Sequence, residues 1–399
     1  MAMPTICLNM IVKNEALIIP RCLASMRAHL DYWVIVDTGS SDETERLVAE
    51  CLAGVPGELH KRPWRDFGHN RTEAVRLAEN KADYLLLCDA DMALVVRDPD
   101  WKQSLAADAY DVKQTHDDGF TYRNIRLINA RLSGARRWRY WGVTHEYCGT
   151  VDFDSFTKPA LFDAIEFRDY SDGGSKEQKL PRDAAMLERE IAHASELEAR
   201  ALTAPLDEEA TARLVELRRL LPRYYFYLAQ TYRELGRLEE STAFYERHAQ
   251  VGVWDEEVWQ SFYQVARLAE RLGRTEQEVV SLFLRAYEKR PTRAEPLVDL
   301  ARYLRERSRY ASAHLFAARA KDLPFPKGDT LFLEPSYYHW RALDEFAVTG
   351  SWIGEWPAAL RVWEALLERT DLPDPDRDRI RANVELGRDA LAKAEQGRS

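Results

Sequence analysis

Residues 84–96 read YLLLCDADMALVV, an apolar run broken by Asp89 and Asp91. Leu85, Leu86 and Leu87 predict a strand buried on both faces, so the two carboxylates fall where that strand leaves the core. In open α/β sheets that edge is where ligands sit. Two carboxylates one residue apart in a cleft repel each other unless a cation lies between them. Oxygen ligands suit Mg²⁺ or Mn²⁺ better than softer metals. Asp-x-Asp also occurs in plain solvated turns, so the neighbouring stretches decide the reading.

Those neighbours repeat one design. TICLNMIV ends at Lys13-Asn14-Glu15, and residues 17–29 follow as an amphipathic helix. DYWVIVDTGSSDET places Asp37 at a strand end, then Gly39 for close backbone approach, then a helix opened by Ser41 or Asp42. Asp42 reads equally well as a helix cap. Two such βα units and the Asp89 strand, reached through a helix over 71–81, predict a mostly parallel sheet with Asp37 beside Asp89. The segment HKRPWRDFGHNRTEA, residues 60–74, suits a loop closing over a ligand, with Asn70 and Arg71 opening the next helix. Arg71 can contact a phosphate or simply bridge the aspartates.

From 105 to 170 the period becomes two, in FTYRNIRLINA and RRWRYWGVTHEY, which predicts antiparallel strands extending the sheet. His145 and Glu146 close that run and lack the zinc-protease spacing His-Glu-x-x-His. Residues 167–183, FRDYSDGGSKEQKLPRD, offer Asp169, Asp172, Lys176, Lys179 and Arg182. They read as a solvated linker or as a segment that completes and covers a diphosphate site.

Beyond Pro181 the composition turns to Leu, Glu, Arg and Ala at helical period. Segments aligned on Gly236, Gly273 and Ser308 repeat with offsets of 37 and 35 residues, near the 34-residue helix-turn-helix repeat. Leu228, Ala229, Tyr232, Gly236 and Tyr245 fall at tetratricopeptide spacing. The expected organisation is an α/β domain over 1–181, connecting helices over 182–222, repeats over 223–345 and capping helices over 346–399. Such a solenoid presents a concave face to an extended chain or protein partner, or else braces the first domain or pairs two copies as a homodimer. Trp254, Trp259, Tyr263, Tyr337 and Trp340 read as packing residues.

Composition narrows the function. With 56 basic against 66 acidic residues the net charge is −10, which argues against a nucleic-acid binder. Cys7, Cys22, Cys51, Cys88 and Cys148 show no Cys-x-x-Cys pairing and read as reduced core thiols of a cytoplasmic protein. No apolar stretch approaches the length of an integral membrane span.

Taken in order, MIVKNEA, VDTGSSDET, FGHNRTEA and DADM resemble the family-2 glycosyltransferases of the GT-A fold, over roughly residues 5–183. The fold class expected is an α/β GT-A nucleotide-sugar-binding domain followed by an all-α tetratricopeptide-like solenoid. That combination resembles bacterial glycosyltransferases carrying both parts, a group that includes enzymes modifying peptides. The resemblance implies a nucleotide-sugar donor, usually a uridine diphosphate (UDP) sugar, and Mn²⁺ or Mg²⁺. It implies that Asp37 reads the base, that Asp89 lies near the ribose, and that Asp91 ligates the metal, with Ala90 a further candidate donor contact. Asn14, Glu15, Gly39, Asn70, Arg71, Lys179 and Arg182 complete the candidate donor contacts. Asp89, His145 and Asp172 join Asp91 as candidate metal ligands.

His145-Glu146 stands where many relatives carry Glu-Asp. Inverting transfer needs one base opposite the leaving group, and Glu146 is the candidate, with His145 orienting it and Asp169 and Asp172 competing. The acceptor expected is a peptide or protein. The alternatives are a cell-surface polysaccharide or lipid-linked glycan transferase, an idle repeat scaffold, and a sugar-phosphate nucleotidyltransferase. The last resembles this chain least, because a Gly-rich, Arg-containing loop belongs where Val12-Lys13-Asn14-Glu15 stands.

Overall fold

A computed structural model describes residues 3–117, 119–173 and 178–396; Lys176 of the 167–183 segment lies outside them. The chain divides into two compact units, Met1–Leu220 and Leu221–Ser399.

In the first unit β1 (Ile6–Val12), β2 (Tyr32–Asp37), β3 (Gly57–Lys61) and β4 (Tyr84–Leu87) lie parallel in the order β3-β2-β1-β4. The crossovers are α1 (Ile19–Met26), α2 (Thr44–Cys51) and α3 (Phe67–Ala78). β1, β2 and β4 carry apolar residues without alternation because both faces are covered. Leu8, Ile35 and Leu86 pack with Cys22 and Leu23 of α1, while Cys7, Val34 and Leu85 pack with Val75 and Ala78 of α3. The α3 helix starts at Phe67, ahead of the expected 71, because the Asp66 carboxylate accepts from the His69 amide at 2.7 Å.

The antiparallel extension expected from the period-two stretch is present. β7 (Thr121–Asn129) runs antiparallel to β4 and to β6 (Ala109–His116), and β10 (Ala160–Asp169) follows parallel to β6. After Asp91 the chain crosses to the far edge, where MALVV forms β5 (Met92–Val96) against β10 and completes an eight-stranded sheet among the described residues. The run RRWRYWGVTHEY departs from expectation. It forms a separate hairpin, β8 (Trp138–Trp141) and β9 (Tyr147–Thr150), because Trp138 and Cys148 pack on Val75 and Ala78 instead of joining the sheet edge. The first unit also takes in α4 (Lys179–Thr203) and the start of α5 (Glu208–Glu234), whose Glu216 pairs with Arg139 at 3.0 Å.

The second unit continues α5 past Pro222 and adds α6 (Leu238–Val251), α7 (Asp255–Arg271), α8 (Glu276–Lys289), α9 (Glu295–Arg305) and α10 (Tyr310–Lys321). A π-turn at Tyr337–Arg341 leads into α11 (Ala342–Trp352), followed by α12 (Trp356–Leu367) and α13 (Asp374–Gln396). These helices form a tetratricopeptide-like solenoid. Gly236, Gly273, Ser308 and Gly354 all have positive φ, from 60 to 88°. A left-handed residue ends a helix and turns the chain, which explains why the repeats align on these positions. Trp259, Tyr263, Tyr337 and Trp340 are buried as packing residues, whereas Trp254 is exposed. Among the described residues no helix is long and apolar enough to cross a membrane.

Candidate active site

The carboxyl ends of β1, β2 and β4 gather the N-terminal motifs. Asn14, at φ 56°, accepts from the Ser41 amide at 2.7 Å, and its own amide donates to Ser40 Oγ at 3.0 Å. The Glu15 amide donates to Thr44 Oγ1 at 2.8 Å. Both residues therefore tie the β1 turn to the β2 turn. Asp37 Oδ1 accepts from the amides of Gly39 and Ser40, each at 2.7 Å. Its Oδ2 is buried without a hydrogen-bond partner among the described residues. An unmet buried acceptor is costly, so this oxygen is set to receive a donor from a ligand.

Asp89 is held from both sides. Arg71 Nη2 donates to Oδ1, Arg126 Nη1 donates to Oδ2 at 3.0 Å, and Arg71 Nε donates to Glu146 Oε1 at 2.7 Å. Arg71 is thus the bridge between the Asp89 motif and the His145-Glu146 turn. Burial alone would raise the Asp89 carboxyl, but Arg71 and Arg126 hold it well below the usual carboxylate range. With a guanidinium on each oxygen, Asp89 is not arranged as a metal ligand. Arg126 was not evident as a site residue in the sequence. It is buried at the apolar end of β7 beside Leu127 and Ile128, fixed by Gln114 Oε1 at 2.6 and 3.0 Å, and a cation next to that apolar pair was the available signal.

Asp91 has a different environment. Among the described residues it makes no ion pair, and burial, followed by Asp89 and Asp169, pushes its carboxyl up to about 6. The Tyr170 amide donates to the Asp91 carbonyl at 3.1 Å, and a Cβ on Gly173 would lie 3.2 Å from Asp91 Oδ2, so residues 170–173 cover it. Asp172 anchors that cover through a bidentate pair with Arg21 at 2.7 and 2.8 Å, with Arg21 over the Tyr170 ring at 3.8 Å. Asp169 accepts from the Ser171 amide at 2.8 Å and lies 3.5 Å from His116 Nε2.

The expected ligand set of Asp89, Asp91, His145 and Asp172 is not assembled. Among the described residues no group of three or more His, Cys, Asp or Glu is placed to hold a metal, since arginines occupy Asp89 and Asp172. What remains is one crowded carboxylate, Asp91. That fits Mg²⁺ or Mn²⁺ bound with a diphosphate, where one or two carboxylates, phosphate oxygens and waters suffice.

Glu146 and His145 sit in the β8–β9 turn, His145 at φ 49°. The turn is seated on α3: the Phe67 amide donates to the Val143 carbonyl at 3.0 Å, and a Cβ at Gly68 would lie 2.0 Å from the Gly142 oxygen. The start of α4, which carries Lys179 and Arg182, approaches the same turn. Burial raises the Asp183 carboxyl, and Arg182, Lys179 and the Thr144 hydroxyl offset part of that rise. Arg182 also lies 5.0 Å over the Phe67 ring. Asn70, expected among the donor contacts, lies in the first turn of α3. Its buried carboxamide accepts from the Arg65 amide at 2.9 Å and donates to the Pro63 carbonyl at 3.1 Å, so it shapes the loop. Ala90 is buried in the turn between Asp89 and Asp91, and behind it Cys22 and Cys88 approach to 3.9 Å as free thiols.

An α/β sheet with carboxylates collected at its strand ends is followed in the chain by a helical-repeat solenoid. Residues 7–125 match the family described as Glycosyl transferase family 2. The chain therefore carries a family-2 glycosyltransferase domain followed by tetratricopeptide-like repeats. A stretch of 95 residues is 38% identical to a TPR repeat-containing protein of Synechococcus elongatus, covering 24% of this chain and 22% of that protein's length. Among solved structures, BtubC (BKLC) from P. vanneervenii matches at 16% identity and TM-score 0.35, over 53% of this chain and 84% of that one. YrrB, described as a TPR protein with an unusual peptide-binding site, matches at 17% identity and TM-score 0.29, over 48% and 87%.

Proposed function

We propose that the first unit transfers a hexosyl group, with inversion, from a uridine diphosphate sugar bound with Mn²⁺ or Mg²⁺ to a peptide or protein acceptor held by the repeats. The observation that carries this reading is Asp91, a carboxylate crowded by Asp89 and Asp169 at the carboxyl end of β4, without an ion pair among the described residues. A divalent cation there would neutralise the departing diphosphate. Asp37 Oδ2 accepts an N–H of the base. Lys179 and Arg182 supply positive charge beside the same turn. Glu146 takes the proton of the acceptor hydroxyl, and Arg71 holds its Oε1 in place at 2.7 Å. One base and direct displacement suffice for inversion. The five free cysteines accord with a cytoplasmic location.

The test is release of nucleoside diphosphate from a panel of nucleotide sugars by the full-length protein. Glu146→Gln should bind donor normally and transfer more slowly by about 10² to 10⁴, as for loss of a general base. Unchanged turnover would move the role to Asp169. Absence of both donor binding and hydrolysis would leave the idle-scaffold reading.

A further inference from the structure

The strand β7 changes phase at Arg126. Ile125 lies opposite Asp111 of β6 and Leu127 lies opposite Tyr110, the adjacent residue, so Arg126 is the extra residue of a β-bulge. In a regular strand residues two apart share a face. Here Ile125 packs against the cluster of Val75 and Leu85, whereas Leu127 packs with Leu8 and Leu86 on the opposite face of the sheet. The shift leaves Arg126, Leu127 and Ile128 buried in succession, with Arg126 only 6% exposed. Bulges beside active sites re-aim the side chain they carry.

A buried guanidinium is costly unless it is paired, and Arg126 is met at both ends. Its Nε and Nη2 donate to Gln114 Oε1 at 3.0 and 2.6 Å, and its Nη1 donates to Asp89 Oδ2 at 3.0 Å. Gln114, fully buried on β6, thus fixes the guanidinium against the turn that follows β4. The other Asp89 oxygen takes Nη2 of Arg71, whose Nε donates to Glu146 Oε1 at 2.7 Å. One chain of charge-assisted hydrogen bonds, Gln114–Arg126–Asp89–Arg71–Glu146, therefore runs from the sheet to the β8–β9 turn. Within it Arg71 is shared between two carboxylates.

We propose that the bulge makes Arg126 a positioning residue for Glu146, acting through Asp89 and Arg71. Guanidinium and carboxylate favour a bidentate pair. By occupying Oδ2, Arg126 limits Asp89 to one donor of Arg71 and leaves Nε for Glu146. Without Arg126 the freed oxygen competes for the same guanidinium, Arg71 turns to hold Asp89 with two donors, and Glu146 loses the contact that fixes it. A shift on the order of 1 Å at a reacting group costs about 10²-fold in rate. This role rests on the reading of Glu146 as the base, but the geometry behind it is measurable without any substrate.

The experiment compares crystal structures of the full-length parent and the Arg126→Gln protein, and then their kinetics. In the variant Arg71 should pair with both oxygens of Asp89 and lie beyond hydrogen-bond reach of Glu146. An Arg71–Glu146 bond kept as in the parent would overturn the proposal. In release of nucleoside diphosphate from the nucleotide-sugar panel, Arg126→Gln should lower kcat about tenfold or more and leave KM for the donor within about threefold. In a Glu146→Gln background the same substitution should change kcat by less than about twofold, because the group it positions is gone. An equal loss in both backgrounds would show a merely structural role and overturn the positioning one. Should Arg126→Gln fail to fold, Arg126→Gln combined with Asp89→Asn removes the buried charges as a pair. In that protein Arg71 should keep its bond to Glu146, and loss of the bond would contradict the competition. A parent that turns over no nucleotide sugar would remove the transferase reading, while the crystal structures still decide whether Arg126 governs the Arg71–Glu146 contact.

Discussion

Asp89 and Asp91 of the Asp-x-Asp turn differ in how their charge is met. Asp89 is neutralised from within by two arginines, whereas Asp91 is left as a costly carboxylate near pH 6. Its folded value lies above the unfolded one of 3.8, so the unfolded state releases this proton first, and stability falls as pH rises from about 4 to 6. Without added cation, Asp91→Asn should therefore be more stable than the parent at pH 7.5 by about 1–3 kcal/mol, with the gain gone below pH 4. Urea unfolding at both pH values checks this. An equal or lower midpoint for the variant at pH 7.5 would mean that the carboxylate is not crowded. The sequence made the strand-end position of Asp37, Asp89 and Asp91 legible because an apolar run has to stop somewhere. It could not separate the roles of Asp89 and Asp91, because Arg126 lies 37 residues downstream and meets Asp89 only when β7 pairs with β4.

The α3 helix sets the position of the candidate base. Its first turn presses on the β8–β9 turn through the Phe67–Val143 hydrogen bond and the contact of Gly68 with the Gly142 oxygen. Gly68→Ala places a methyl 2.0 Å from that backbone oxygen, so the turn has to move. Displacement on the order of 1 Å at a reacting group costs about 10²-fold in rate. The expected outcome is a comparable loss of transfer with donor binding by calorimetry kept within about threefold, because Asp37 and Asp91 lie on other elements. Wild-type turnover would show that the turn is not positioned by this contact. Two-residue periodicity identified strand-forming stretches correctly here, but it carried no information on whether β8 joins the main sheet. Burial of Trp138 against α3 decides that.

Across the whole molecule, the two units differ in how acid should undo them. In the repeats His248 is fully buried, donates or accepts at Nδ1 with Ser261 Oγ at 2.7 Å, and burial lowers its pKa to about 4. The unfolded imidazole takes up its proton near 6.5, so this group's contribution is complete above that pH and is lost as pH falls toward 4. His248→Gln should reduce the drop in unfolding free energy between pH 7 and pH 4 by about 2–3 kcal/mol. Identical pH profiles for variant and parent would show that the histidine is not held neutral. The helical-repeat architecture was readable from the offsets between Gly236, Gly273 and Ser308 because a left-handed turn constrains residue type. A cavity lined by Gln230 and Gln264 was not, since it depends on how α5 and α7 face each other.

The central claim is that Asp91 couples a divalent cation to a nucleoside diphosphate on this domain. Titration calorimetry of UDP into the full-length protein at pH 7.5, with and without Mn²⁺, for the parent and Asp91→Asn, tests it most directly. The parent should bind UDP at least tenfold more tightly with Mn²⁺, and the variant should show no Mn²⁺ effect, because an amide oxygen is a much poorer ligand than a carboxylate. Tight UDP binding that ignores Mn²⁺ in the parent, or an undiminished Mn²⁺ effect in Asp91→Asn, would contradict it.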